Sequence, residues 1–407
     1  MPEHHPFNLQ HIYSAQRAAP EPRGGREAPA PGGRLGRCPA VPPGGRVMWG
    51  GSEFQAETPD AARHPSAPAL PLQQSPLYAE ALAGIGVPVV QHSLPGGQAL
   101  VIRRRWPVLG TVGLISRGPY WAGLPGYQAL VGLRRAAGLG HLIINAETAA
   151  DARALDAAGF LRIAAPRKVA ELPLTGLVTD FWAAMGVKWR NRLRHGQKSG
   201  LVTRQTAFPP DPHHWLLAHD IAQQHRRGYR TLPHNIILAM AAASPGAVQL
   251  FTARANGRIM AAMLFLCQGS VASYHIGWTN PQGRATSAHN LLLWQAMQVF
   301  GASGHRILDL GDYAPDQTPG LARFKRGSGA VIRDLGGTWL DSAILAPVIG
   351  ARRRMRQTGR ESDTLSGNTA QQAGARRRDR PDFQPGKHMQ CVQLQIDHRM
   401  ITDPATH

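Results

Sequence analysis

The chain has 407 residues, 43% of them hydrophobic, and its 45 Lys and Arg outnumber 25 Asp and Glu to give a formal charge of +20. That length holds two ordinary domains or one large domain with unstructured ends, and its longest apolar run, IMAAMLFLC at 259–267, is about half of what a membrane-spanning helix needs. Cys38, Cys267 and Cys391 have no paired spacing, which excludes a disulfide framework and a cysteine zinc site. Together with a start that lacks a basic-then-apolar signal pattern, this fits a cytoplasmic protein.

Residues 1–70 are crowded with Pro, Gly, Ala and Arg and show no apolar periodicity. Such a segment cannot offset the entropy of folding and is expected to be disordered. Met48 is an alternative initiator, which leaves open whether the first 47 residues are translated. Residues 346–407, with RRRMRQ and ARRRDR, form a second polar and basic segment, mostly disordered. Between residues 71 and 350 stand 27 Lys and Arg against 13 Asp and Glu, so the excess of positive charge belongs to the folded body. A body of that sign is expected to meet an anionic partner.

Within the body, SPLYAEALAGIG reads as a helix with Ser75 as cap and Pro76 in the first turn. QALVIRRR and LGTVGLISRG read as strands, GYQALVGLRRAAG as one helix closed by Gly138, and HLIINAE as a strand. TAADARALDAAG is a helix ended by Gly159, and VAELPL a strand. FWAAMGVKWRNRLRHGQKSG is read as one helix, with Met185, Trp189 and Leu193 in an apolar stripe and Lys188, Arg190, Arg192, Arg194 and Lys198 flanking it. HHWLLAHDIAQQHRRG and NIILAMAAAS give two more helices. AVQLFTAR, RIMAAMLFLC and VASYHIGWT form a meander turned at Asn256-Gly257 and at QGS. A helix from Ser287 to Phe300, the strand HRILDLG, the segment GLARFKRGSGA and one last strand AVIRDLGGTWL complete the order. Alternating strands and helices argue for an α/β architecture.

The order of elements after residue 174 resembles that of a GNAT acetyltransferase domain. KWRNRLRHGQKSGL, SYHIGWTN, HNLLLWQAM, HRILDLGD and GLARFKRGSGA, in that order, with the Arg-Gly-Pro turn of ISRGP at 115–119, resemble the Fem family of aminoacyl and acyl transferases and their GNAT-fold relatives. The likeness spans residues 72–345. It implies two GNAT-like halves, each a mixed sheet flanked by helices, over residues 71–175 and 176–345, with the donor bound by the second. The activity it implies is acyl transfer to an amine or hydroxyl, from acyl-coenzyme A as donor substrate with no permanently bound cofactor. The alternatives are aminoacyl-tRNA-dependent transfer to a peptidoglycan precursor, and a non-catalytic RNA-binding protein on the same scaffold. No segment reads as the helical arm found in some Fem proteins.

Acyl transfer needs a seat for an anionic donor, and a helix N-terminus supplies one. Gly283, Arg284, Ala285, Thr286 and Ser287 are the candidates, with Gly283 allowing close approach, Arg284 adding charge, and Thr286 or Ser287 capping the helix. RAAGLG at 135–140 has the letters of a pyrophosphate loop but closes a helix where a donor loop must open one. Lys325, between Phe324 and Gly327 and Gly329, suits an oxyanion or a phosphate, and in the Fem motif the corresponding lysine acts on the substrate's charge. Asp312 is the candidate base or amine-orienting group, with Tyr313 beside it. Asp309 is assigned instead to holding the following loop. Arg190, Arg194, Lys198 and His275 are candidates for binding substrate, the cationic helix facing either tRNA phosphates or an anionic acceptor. His213, His214, His219, His225 and His234 lack metal-binding spacing and read as exposed helix residues. HExxH, GxSxG, Walker and dinucleotide-binding patterns are absent, and oligomeric state is not readable.

Overall fold

A computed structural model describes residues 69–107, 109–347 and 350–351. The readings of residues 1–68, of Met48 and of the tail beyond residue 351 lie outside the described residues. The elements are α1 Pro76–Gly84, β1 Val89–Leu94, β2 Gly97–Trp106, β3 Gly110–Ile115, β4 Tyr120–Trp121, α2 Tyr127–Leu130, α3 Leu133–Ala136, β5 His141–Ala146, α4 Ala149–Ala157, β6 Leu161–Ala164, β7 Lys168–Pro173, α5 Val178–Ala184 and α6 Val187–Lys198. They continue with β8 Val202–Ala207, α7 Trp215–Arg227, α8 His234–Ala243, β9 Val248–Ala255, β10 Arg258–Gln268, β11 Val271–Thr279, α9 Pro281–Ala285, α10 Ala288–Ala302, β12 Ile307–Asp312, α11 Pro319–Gly327, β13 Val331–Asp334 and β14 Gly337–Ser342.

The strands form two mixed sheets. The first has the order β1-β2-β3-β5-β14-β6 with β4 on β2, and the second β13-β7-β12-β11-β10-β9-β8. Each contains one parallel junction, β3 with β5 and β11 with β12, in an otherwise antiparallel array. The two halves are thus built alike, as expected, but they exchange strands. β7, read into the first half, lies in the second sheet, while β14, read into the second half, lies in the first. A boundary at residue 175 therefore separates β7 and β14 from the sheets they belong to.

Three apolar layers hold this arrangement. Alternation along β2 sends Leu100 and Ile102 to one face and Ala99 and Val101 to the other. The first pair meets α1, α7, α8 and the Leu250, Ala262, Leu264 and Ile276 face of the second sheet in a shared central layer. The opposite face of the second sheet, with Phe251, Met263, Phe265 and Leu308, packs on α5, α6 and α10. The outer face of the first sheet is covered by α2, α3 and α4.

Local departures have local causes. The helix read over GYQALVGLRRAAG is two short turns, because Val131 is extended and Gly132 takes φ 84°. The long cationic helix is broken at Met185 and Gly186, both extended, into α5 and α6. AVIRDLGGTWL is two strands serving different sheets, β13 and β14, divided at Leu335 and Gly336. The short strands β1, β6 and β8 carry too little apolar alternation to be read from the sequence. GLARFKRGSGA is mostly the helix α11, with Pro319 in its first turn.

Candidate functional site

The second sheet opens where its parallel pair ends. β11 and β12 pair only at Val271 with Ile307, Ala272 with Leu308 and Ser273 with Asp309. Beyond that point β11 stays with β10 as far as Thr279 opposite Ala261, while β12 stays with β7 as far as Asp312 opposite Val169. The two strands part, leaving the last six residues of β11 with one edge off the ladder over roughly 20 Å. The first sheet treats the same place differently. Directly after β3 and β5 come Arg117 and Glu147, joined by Arg117 Nε to Glu147 Oε2 at 2.8 Å and Nη2 to Oε1 at 2.9 Å, so that junction is fastened.

Arg117 extends this fastening across the sheets. From a left-handed backbone conformation, φ 50°, its Nη1 also donates to Asp309 Oδ2, while Arg333 bridges Glu147 Oε1 and Glu171 Oε1 at 2.5 and 2.6 Å. Burial alone would discourage the Arg117 charge, but Asp309 and Glu147 more than compensate and hold it firmly protonated. Asp309 is kept below the usual carboxylate range by Arg117 against its own burial, and its Oδ1 accepts from Gly311 N at 2.7 Å. Asp309 thus holds the following loop, the structural role read for it.

Lys325 stands at the far lip. It is 4% exposed, and its Nζ donates to the Asp312 carbonyl at 2.7 Å. Burial pushes its ammonium down to about 8, with Asp312 and Asp309 opposing the shift. The glycines beside it do not expose amides to a phosphate. A side chain at Gly327 would meet Trp189 and one at Gly329 would meet Ala184, so both let α11 close on α5 and α6. Phe324 packs on Trp189 with ring centroids 5.9 Å apart. Asp312 has a side chain 43% exposed and paired with Arg167 at 2.9 Å. Tyr313 is half-buried against the α5, α6 and α10 layer, and its amide donates to the Lys168 carbonyl. Lys325 is thus tied to the backbone of Asp312, whose carboxylate is taken by Arg167.

The other expected residues distribute as follows. Gly283 does not open space for a donor, because the Met260 carbonyl and Thr279 Oγ1 fill the place of its missing side chain, and its amide is taken by Asn280 Oδ1 at 2.7 Å. Arg284 and Ala285 are exposed, and Arg284 Nη1 donates to the Thr279 carbonyl at 3.0 Å. Thr286 does not cap α10; its hydroxyl donates back to the Gln282 carbonyl at 2.9 Å. Ser287 holds the cap position at φ 57° without a capping bond, its Oγ lying 3.4 Å from His195 Nδ1 of α6. α6 reaches this helix start because Gly196 packs on the Thr286 and Ser287 carbonyls. It presents Lys188, Arg192, Arg194 and Lys198 as an exposed face, with Arg190 half-buried. Arg194 lies over the Trp182 ring at 5.1 Å.

His275 occupies a β-bulge. The β10 ladder skips it, with Leu264 opposite Ile276 and Phe265 opposite Tyr274, a device that re-aims side chains. Burial lowers its imidazole to about 4, and its Nε2 is buried without a partner. Beside it lies a polar group the sequence reading missed. Asp220, 3% exposed, accepts at Oδ2 from His234 Nε2 at 2.8 Å and Gln224 Nε2 at 2.7 Å. His214 and His234 are thus partly buried, contrary to expectation, while His213, His219 and His225 are exposed. The spacing of Asp220 and Gln224, one turn apart on α7, was the available signal. Among the described residues no cluster is suited to a metal, and no helix is long and apolar enough to cross a membrane.

Residues 187–326 match the family model of the acetyltransferase (GNAT) domain. The described fold is similar to a solved structure of FemX, with a TM-score of 0.56 at 16% identity, covering 70% of this chain and 96% of that one. The C-terminal domain of a putative lysylphosphatidylglycerol synthetase from Agrobacterium fabrum aligns with a TM-score of 0.42 at 14% identity, over 70% of this chain and 93% of that one. No match to a curated protein was found by sequence. The parallel junction that opens in the second sheet lies inside the matched segment, as do α10 and Lys325. Residues 187–326 thus match the acetyltransferase (GNAT) domain model, and they do so within a fold similar to that of FemX.

Proposed function

We propose that the protein transfers an acyl group from acyl-coenzyme A to an amine or hydroxyl acceptor, with the donor lying in the gap between β11 and β12. The observation that carries this reading is the parting of those strands after Ser273 and Asp309, at a junction whose counterpart in the first sheet is closed by Arg117 and Glu147. An extended carrier finds unpaired backbone along β11. Its phosphates find the start of α10 at Ser287 and the cations of α6, Arg194 and Lys198 among them. Arg284 adds a further charge at that end. Gly283 has no part in the seat.

The reaction forms a bond from the acceptor nitrogen or oxygen to the acyl carbon and breaks the bond from that carbon to sulfur. The sulfur leaves with the electron pair and ends as a thiol, taking up the proton that the acceptor gives up. Lys325 supplies positive charge for the developing oxyanion, while Asp312 and Tyr313 stand where they orient the reactants. His275 faces the acceptor. Charge on Lys325 matters most below pH 8, where its ammonium is retained.

Acetyl-coenzyme A is added to the purified protein and the melting temperature followed, in parallel with tRNA binding over a salt series. A stabilising shift that grows with acetyl-coenzyme A concentration, with weak tRNA binding, supports the reading. No shift, together with tight tRNA binding that falls steeply with salt, overturns it in favour of an aminoacyl-tRNA donor or an RNA-binding role.

A further inference from the structure

The bulge of β11 places two residues on one face that a regular strand would keep apart. Residues three apart in a strand face opposite sides. Here the ladder with β10 skips His275, so Tyr274, opposite Phe265, and Gly277, opposite Met263, share the face covered by α5, α6 and α10. The Tyr274 ring uses that alignment to lie forward along the strand. Its hydroxyl fills the place that a side chain at Gly277 would take, and its Cζ lies 3.0 Å from that place. Phe265 supports the ring, with centroids 5.7 Å apart. Tyr274 is half-buried, so part of it still faces open space.

Tyr274 is also the first residue of β11 past its last pair with β12, Ser273 with Asp309. Its ring therefore covers β11 from the closed end of the gap out to Gly277, about 10 Å of strand. Depth along the gap is counted on both strands. Lys325 is tied to the carbonyl of Asp312, three residues beyond the last pair on β12, and Gly277 is four residues beyond it on β11. The ammonium and the outer end of the ring thus stand at nearly equal depth on opposite lips. Further in, the gap shuts where Asp309 is fastened to Arg117. A donor seated from the start of α10, beyond the outer end of β11, that brings its carbonyl to Lys325 has only this closed end left for the rest of its acyl chain. That space is about 10 Å long at most, and the Tyr274 ring forms one wall of it.

We propose that Tyr274 sets the length of the acyl group this protein accepts, and that its donors are short-chain thioesters, acetyl or butyryl in size. The proposal rests on the acyl-transfer reading above and narrows its donor class. It also gives the bulge at His275 a purpose, since without the extra residue the ring would have no bare backbone at Gly277 to lie on. Long saturated chains gain affinity from almost any apolar surface they bury. Binding that weakens as the chain lengthens therefore needs a physical stop, and the ring supplies it.

The test is calorimetric binding of coenzyme A and of its acetyl, butyryl and decanoyl thioesters to the full chain, without an acceptor. The acetyl and butyryl thioesters bind within about threefold of each other, and the decanoyl thioester binds more weakly by about tenfold or more. Tyr274→Ala brings decanoyl binding level with acetyl or tighter, while Tyr274→Phe, which keeps the ring, preserves the parent's order. Decanoyl binding as tight as acetyl in the parent, an unchanged order in Tyr274→Ala, or the same reversal in Tyr274→Phe overturns the proposal. Because the parent series needs no variant, misfolding of Tyr274→Ala leaves it decisive. Failure of coenzyme A and of all its thioesters to bind overturns the underlying donor reading, a distinct result.

Discussion

Replacing Lys325 by Met separates its electrostatic role from its packing. An ordinary lysine titrates near 10.5 and this one is pushed down to about 8 by burial, a difference that corresponds to about 3 kcal/mol against the folded state at neutral pH. The unfolded chain keeps the proton up to 10.5 while the folded chain gives it up near 8, so between those values unfolding takes up a proton. Stability of the parent protein from this group therefore rises with pH across that window. Met is free of the term and loses the bond from Nζ to the Asp312 carbonyl, worth about 1.5–3 kcal/mol. At pH 7 the two effects nearly offset. The pH dependence does not cancel, because every other titrating group is common to both proteins. Denaturant unfolding of parent and variant at pH 7 and pH 10 is expected to show the variant's relative stability falling by about 2.5 kcal/mol over that interval. Acyl transfer is expected to drop by two orders of magnitude or more at pH 7, and by far less at pH 10, where the parent's Lys325 has itself given up its ammonium. A stability difference that does not vary with pH would show that the ammonium is not desolvated, and undiminished turnover would remove Lys325 from the reaction.

Gly283→Ala forces a methyl against the Met260 carbonyl and is expected to lower stability by about 1–3 kcal/mol, read by thermal unfolding. The donor-induced shift in melting temperature is expected to remain, and its loss in a normally folded variant would return Gly283 to the donor seat. Arg117→Met strands buried Asp309, while Glu147 keeps Arg333, and is expected to cost about 3–5 kcal/mol. A loss below about 1 kcal/mol in denaturant unfolding would refute the view that this network fastens the two sheets together.

How far the sequence discloses this arrangement depends on whether a feature is local. Ser75 caps α1, and Thr148 and Asp151 form a capping box on α4, since caps and periodic stripes are written in adjacent residues. The meander from β9 to β11 was equally legible, because Asn256 and Gly257, at φ 50° and 75°, specify its first turn. Sheet membership was not. β7 and β14 carry the same apolar alternation wherever they pair, and only the fold decides that each crosses to the other sheet. The glycines around Lys325 and Gly283 misled for a related reason. A glycine signals that backbone comes close to something, and the sequence does not say whether that is a phosphate or, as here, Trp189, Ala184 and Met260.

The polar group at Asp220 was hidden because its members come from α7, α8 and β11, and each taken singly reads as a polar residue turned to water. Its contrast with the Arg117 network is instructive. Both are buried, yet in the network Arg117 and Arg333 reach Glu147, Glu171 and Asp309 from both sheets, whereas beside Asp220 the Nε2 of His275 is buried without a partner. Burying polar groups with their bonding complete serves cohesion, and burying them incomplete costs stability that cohesion does not explain. That difference is the physical ground for reading the Arg117 network as a structural clamp.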